Sequence, residues 1–499
     1  MNKKMKPIMV IGTSSGSGKS LISTALCRHF LRLGEKPIPF KAQNMSNNAW
    51  VDLHGGEMAY SQALQAWGAG VEPSCEMNPI LLKPKGDLTS EVIHLGKSVG
   101  ITNSLDYYKD WINPGWSSIL KGLEIINSSY KKTRLIIEGA GSPVEVNLKH
   151  KDITNMRLAC HLQADCILVA DIERGGVFAQ IVGTLELLEP NERALIKGII
   201  INKFRGDISL FEDGVKWIES NTSIPVLGVL PWIDEIFPAE DSLDLIDRKQ
   251  KIGDKDINIT IIKLPSISNF SDIDPLEFES TVNVKWINPG ERIGNPDLLL
   301  IPGSKQTLKD LKKLKDSGLV SQIKEYIKNG GNIFGICGGM QIMGHYLIDS
   351  NGIESNQLNQ NKGKVLGLNI FPISTYFNKE KVLKRVKYES IWPSKSNISG
   401  FEIHHGRSTI LDQNIKFIAK EKNAGYYKEI SKDSFAAGTY IHGLFENGCW
   451  RRHFLNKLRE RKKLSPLNTE IKDYKFERET IINILTNHFE KHINTISLR

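Results

Sequence analysis

A chain of 499 residues, 40% hydrophobic and 24% charged, has a globular balance but is too long for one ordinary domain, so two or three separately cored domains are expected. The net charge of +9 suits anionic small molecules. The one dense basic segment, RRHFLNKLRERKK from Arg451, lacks aromatics at a base-stacking spacing, which argues against nucleic acid as a partner. No apolar run approaches a membrane span, so no membrane insertion is expected. Cys27, Cys75, Cys160, Cys166, Cys337 and Cys449 show neither pairing rhythm nor metal-type spacing, which fits reduced thiols and argues against a disulfide framework or a zinc site, and a cytoplasmic protein is expected.

In chain order, the first element is PIMVIGTSSGSGK, Pro7 to Lys19: an apolar strand running into a glycine–serine loop, followed by a helix, SLISTALCRHFLRLG, that closes at Gly34. Gly12, Thr13, Gly16 and Gly18 let backbone N–H groups approach phosphate oxygens; Lys19 supplies a point charge and Ser20 a Mg²⁺ ligand at the helix N-terminus. Five residues separate Gly12 from Gly18, one more than in the common phosphate loop, and Thr13 stands where its first glycine would be. A glycine turn without a nucleotide is the bland alternative. The longer loop resembles that of dethiobiotin synthetase and its relatives, which use ATP to activate carboxylates.

The next block, KAQNMSNNAWVDLHGGEMAYSQALQAW, is amide-rich and costly to bury, as suits a ligand-facing loop. Its start, Lys41 to Asn48, resembles the signature of the cobyric acid synthase family, glutamine-hydrolysing enzymes of cobalamin biosynthesis. Glu57, read as opening a helix, resembles the second Mg²⁺ carboxylate of the dethiobiotin synthetase group, with Asp52 as a rival. Three later apolar strands end on polar groups: RLIIEGAG on Glu138, DCILVADIERGG on Asp171, and KGIIINKF on Asn202 and Lys203. In a parallel sheet these ends share the ligand-binding edge with the phosphate loop, although a strand-end carboxylate can instead cap a helix. Glu138 is the main Mg²⁺ candidate. Asn202 resembles an adenine-reading asparagine, and IPVLGVLPW, ending at Trp232, resembles an adenine-side turn. GSPVEVNLKHKDITNM also resembles the family, which implies a substrate-side place for Asp152; Lys41, Asn44 and Asp171 are further substrate-side candidates. For Asp152 a helix cap is the equal alternative.

Residues 236–256 are charged and short of strand pattern, which suits a linker between domains 1–235 and 257–450, with 451–499 a helical extension on the outside of the second domain. In GGNIFGICGGMQIMG, Gly330 to Gly344, a buried strand ends on Cys337 and glycines lead into a helix. This is a nucleophile elbow: the helix end lowers the thiol pKa, and free N–H groups hold an oxyanion. A buried structural cysteine is the alternative. The stretch resembles the elbow of class I glutamine amidotransferases, which implies oxyanion N–H groups at Gly338 and Gly303 and a glutamine-side role for Gln341. Of the candidate bases His404, His405 and His442, the resemblance of GTYIHG selects His442. Many members of that class carry an acid two residues after the histidine; here Leu444 stands there, leaving Glu446 or a backbone carbonyl to orient the ring.

The expected fold is α/β, with two doubly wound domains: a phosphate-loop ATP domain, then a class I glutamine amidotransferase domain. The resemblance implies ATP- and glutamine-dependent amidation of the b, d, e and g carboxylates of adenosylcobyrinic acid a,c-diamide. Its implied small molecules are glutamine, ATP with Mg²⁺ and a corrinoid polycarboxylate, with no tightly bound organic cofactor. The alternative is a cobyrinic acid a,c-diamide synthase, against which KAQNMSNN and DITNM argue. A partition-type ATPase would have no use for Cys337 and His442.

Overall fold

The computed structural model describes residues 5–86, 88–233, 255–354, 363–412, 414–432 and 434–498. Strands Ile8–Gly12, Pro37–Phe40, Arg134–Glu138, Asp165–Asp171, Ile196–Phe204 and Val226–Pro231 form one wholly parallel sheet. From one edge its order is Val226, Ile196, Asp165, Ile8, Arg134, Pro37, each named by its first residue. Runs such as IMVIG and RLIIE are buried throughout, as expected of a parallel sheet covered on both faces. The ends of the Ile8, Arg134, Asp165 and Ile196 strands therefore share one edge, as the sequence predicts.

One face of this sheet carries the helix Lys19–Arg32 and, beside it, the helix Tyr474–His492. Leu485, Phe489 and Ile493 pack in one cluster with Ile8, Val10, Ile22 and Phe30, and Arg28 is ion-paired with Glu479. This corrects the expectation that all residues past 450 pack on the outside of the second domain. Only the helix Gly448–Arg461 does so, burying Trp450 and Phe454 against Phe334; the last long helix crosses to the first domain.

The second sheet has seven strands, in the order Val282–Ile287, Ile257–Ile262, Leu298–Ile301, Ile333–Ile336, Ser434–Thr439, Gly425–Ser431 and Lys416–Phe417. The first five are parallel and the last two antiparallel. A long antiparallel hairpin, Ile373–Ser390 with Ser396–Ile410, leaves this domain and reaches the other. Phe401 and Ile403 lie in the first domain's core, with Leu383 packed against it. Residues 236–254 of the expected linker lie outside the described residues.

Candidate active site

Cys337 ends its strand at φ 48° and ψ −107°, and the helix Gly338–Met343 begins at once. A non-glycine residue there is strained, and the packing around it explains why it persists. A Cβ on Gly338 would lie 2.8 Å from the Ser304 N, and one on Gly339 would lie 2.0 Å from the Ile301 carbonyl. Only glycines admit the neighbouring strand so closely. The Cys337 N–H donates to the Thr439 carbonyl at 2.7 Å, which ties the elbow to the strand that leads to His442.

His442 lies close enough to the Cys337 side chain for the thiol to act on its charge. The Cys337 Sγ donates to the Ile403 carbonyl at 3.7 Å, and the His442 Nδ1 lies 2.7 Å from Asp272 Oδ2. The other Asp272 oxygen accepts the Gly443 N–H at 2.7 Å. Burial disfavours a charged His442, but the Asp272 carboxylate and Cys337 outweigh it and raise the imidazole to about 10. Asp272 is thus the acid absent from position 444. It lies 170 residues upstream of the histidine, in the turn FSDI. Glu446, a candidate for that role, instead pairs with Arg478 at 3.1 Å. The one signal available was an acid pair in an otherwise apolar turn, FSDIDPL.

The rival histidines are placed elsewhere. His404 is buried between Glu402, 3.2 Å from its Nε2, and the Gly406 carbonyl, and it stacks on Tyr440. His405 Nδ1 faces the Asn378 carbonyl. Both line the cleft of about 450 Å³ that Cys337 and Gln341 share with Ser304, Thr307 and Glu354. Glu354 accepts the Thr307 N–H at 2.7 Å, and burial pushes its carboxyl up to about 7. Gly303, expected to supply an oxyanion donor, sits opposite Ser268 in a two-residue antiparallel ladder, two positions from the Lys305 N–H bond to the Ser266 carbonyl. Alternation along such a ladder turns the Gly303 N–H to Ser268 and leaves the Ser304 N–H facing outward, beside Gly338. On that side the N–H that faces the elbow is therefore that of Ser304, not that of Gly303.

At the edge of the first sheet, Ser20 Oγ donates to Glu138 Oε1 at 2.8 Å, and Lys41 Nζ lies 2.6 Å from the same oxygen. Gln65, which sequence reasoning passed over, donates to the other Glu138 oxygen. Lys41 thus belongs to the phosphate edge, although it was expected on the substrate side. A hydroxyl beside a carboxylate is a hard-oxygen set suited to Mg²⁺. The loop also fits a phosphate. Gly18 has φ 100°, a Cβ on Gly12 would strike Ser17 Oγ, and that buried hydroxyl has no hydrogen-bond partner. Asn202 Nδ2 donates to the Ser17 carbonyl at 2.8 Å, so this asparagine braces the phosphate loop. Next to it an apolar pocket of about 310 Å³ lies between Ile22, Pro231 and Phe489.

The other carboxylates are engaged elsewhere. Glu57 lies in the short strand Glu57–Ala59, not at a helix start, and is 1% exposed. Lys83 Nζ lies 2.5 Å from one of its oxygens and Lys381 pairs with the other. Burial would raise this carboxyl, but Lys381 and Lys83 outweigh it and lower its pKa. With an ammonium group on each of its oxygens, Glu57 is engaged as the anion between Lys83 and Lys381, which argues against its expected role as the second Mg²⁺ ligand. Its rival Asp52 accepts the N–H groups of His54, Gly56 and Cys75 and shapes a turn. Asp152 accepts the N–H groups of Thr154, Asn155 and Met156, so the helix-cap alternative holds. Asp171 is paired with Lys203 at 2.8 Å. Asn44 is buried and donates to Ser61 Oγ at 3.0 Å and Gln62 Oε1 at 2.9 Å.

A phosphate loop with a Ser–Glu pair and a Cys–His–Asp elbow in one chain define an ATP-using, glutamine-dependent amide ligase. Residues 8–246 match the family described as the CobQ/CobB/MinD/ParA nucleotide binding domain, and residues 258–450 the CobB/CobQ-like glutamine amidotransferase domain. A cobyric acid synthase of Prochlorococcus marinus (strain SARG) is 58% identical over 98% of this chain and 97% of its own length. Those of strains NATL2A and MIT 9515 are 57% and 56% identical over 98% and 99% of this chain, and 98% of each relative. The chain belongs to the cobyric acid synthase family. Among the described residues no helix is long and apolar enough to cross a membrane.

Proposed function

We propose that this chain converts adenosylcobyrinic acid a,c-diamide to adenosylcobyric acid by amidating its b, d, e and g carboxylates with ammonia released from glutamine. The observation that carries the reading is the Cys337–His442–Asp272 constellation in one chain with the Ser20–Glu138 pair. A glutaminase elbow beside a phosphate loop fits ammonia delivered to an acceptor that ATP has activated. The full-length match to cobyric acid synthases supports the corrinoid as its bearer.

In this reading Cys337 Sγ attacks the side-chain carbonyl of glutamine, and the N–H groups of Gly338 and Ser304 hold the oxyanion. His442, kept protonated by Asp272, gives its proton to the departing ammonia and then activates the water that cleaves the thioester. Glu354 is the one carboxylate among the described lining residues of the cleft, and it receives the α-ammonium of glutamine. In the first domain the apolar pocket beside Asn202 takes the adenine, Lys19 takes phosphate charge, and Ser20 and Glu138 hold Mg²⁺. The substrate carboxylate takes the terminal phosphoryl group and ADP leaves; Mg²⁺, held there by Ser20 and Glu138, would supply neutralisation of the phosphate charge. The acyl phosphate gives the carboxyl a leaving group that ammonia displaces.

Mass spectrometry of product tests the proposal. Incubation with ATP, Mg²⁺, glutamine and the a,c-diamide should add an amide at each of the b, d, e and g positions. Cys337→Ala should abolish this with glutamine but not with free ammonia. Amidation of cobyrinic acid at a and c instead would assign the chain to the other synthase.

A further inference from the structure

The second domain does not complete the surroundings of its own catalytic histidine. The turn that carries Asp272 meets the first domain through two hydrogen bonds: Ser271 Oγ donates to Asn48 Oδ1 at 2.9 Å, and the Asn269 N–H donates to the Asn47 carbonyl at 3.2 Å. The Asp272 N–H closes the turn on the Asn269 carbonyl at 3.0 Å. The same stretch reaches the imidazole by a second route. Trp50 lies edge-on to Phe401, 5.1 Å between centroids, and Phe401 stacks on His442 at 5.3 Å and 22°. Asn48, Trp50, Ser271, Asp272, Phe401 and His442 are all buried, so water does not compete for these contacts.

We propose that Asn48 and Trp50 of the first domain are positioning residues for the glutaminase, fixing Asp272 through Ser271 and His442 through Phe401. The inference rests on the reading of Cys337, His442 and Asp272 as the glutaminase triad. Its chemical consequence is that hydrolysis of glutamine depends on contacts supplied by the synthetase domain. Asn48 is held by its own neighbours, its N–H on Ser46 Oγ at 3.0 Å and its carbonyl taking the Tyr60 N–H at 3.0 Å. The segment that begins at Lys41, on Glu138 at the phosphate edge, thus ends against the triad acid. The oxyanion turn is anchored across the same boundary, with Lys305 paired to Glu91 of the first domain.

The test uses the full chain, with glutamine hydrolysis and ammonia-driven amidation measured side by side. Asn48→Ala and Ser271→Ala should each lower the kcat of glutamine hydrolysis about ten-fold, the size of one coupled buried contact, and the double variant should lose little more. KM for glutamine should stay near wild type, and ammonia-driven amidation should be unchanged. The alkaline limb of the glutaminase pH profile should move to lower pH, because a loosened Asp272 holds the imidazole proton less firmly. Ser271→Thr, which keeps the hydroxyl, should restore both rate and profile. A wild-type rate and pH limb in Asn48→Ala would overturn the proposal, as would an equal loss of ammonia-driven amidation, which marks general damage. Absence of glutamine hydrolysis in the wild type would overturn the triad reading itself.

Discussion

Asp272 spends both of its carboxylate oxygens on the last turn of the catalytic strand, one on the His442 ring and one on the Gly443 N–H. A buried imidazole keeps a proton only where a nearby anion offsets its lost hydration, and here that offset raises His442 to about 10. Asp272→Asn removes the anion but keeps the shape. Glutamine hydrolysis should then fall about 10²–10⁴-fold, by analogy with amide replacement of a triad acid, while ammonia-driven amidation persists. Because the folded-state value is raised, the protonated form extends to high pH in the parent and is lost earlier in the variant. The alkaline limb of the rate profile should therefore drop from near 10 toward the ordinary histidine range, measured as glutamate release against pH. Cys337 stands out in a local pattern, strand–Cys–Gly–Gly, whereas His442 is separated from His404 and His405 only by the resemblance of GTYIHG. The acid was not legible, because only the fold brings FSDI beside GTYIHG. Gly303 fails for a related reason: a one-residue step along a ladder reverses the direction of an N–H.

At the scale of elements, sequence periodicity identifies a helix and its apolar face but not the surface that face will cover. Ile481, Leu485 and Phe489 mark the apolar face of Tyr474–His492, and nothing local says that it closes on the first sheet. Ion pairs of Arg28 with Glu479 and of Arg32 with Glu490, the latter at 2.8 Å, settle the register against the helix that follows the phosphate loop. Phe489 is 1% exposed and lines the pocket beside Asn202. Phe489→Ala should cost about 3–5 kcal/mol, the usual range for a buried aromatic truncation. It should lower the thermal midpoint and, below the unfolding range, weaken ATP binding measured by calorimetry while leaving glutamine hydrolysis intact. The hairpin Ile373–Ser390 and Ser396–Ile410 was opaque for another reason. Its run KEKVLKRVKYES is mostly charged, and its few apolar residues divide between the two domains: Leu383 packs on the first domain's core and Val386 in the second's.

Across the whole molecule, the two domains meet through charge as well as apolar contact. Glu57 and Glu91 of the first domain face Lys381 and Lys305 of the second, with Lys83 between them. Burial depresses Lys83 to about 8 despite these carboxylates, whereas Glu91 stays well below the ordinary carboxylate value because Lys305 and Lys381 outweigh its own burial. Such a network gives weak net stability when complete, but removing one partner leaves a buried charge unpaired, at a cost of about 3–5 kcal/mol. That asymmetry separates the two readings of Glu57. As a Mg²⁺ ligand, it would yield a Gln variant with normal stability and poor Mg²⁺–ATP binding. As the anion between Lys83 and Lys381, it yields the reverse: Glu57→Gln should unfold at distinctly lower denaturant while binding Mg²⁺–ATP as the parent does. Glu138→Gln is the internal comparison. It removes the carboxylate that faces Ser20, so its Mg²⁺-dependent ATP affinity should fall, because a neutral amide beside the Ser20 hydroxyl is a poor hard-oxygen anion for the metal. Equal loss of nucleotide affinity in both variants would return Glu57 to the metal site. Loss confined to Glu138→Gln would place Glu57 in the joint between the synthetase and the glutaminase.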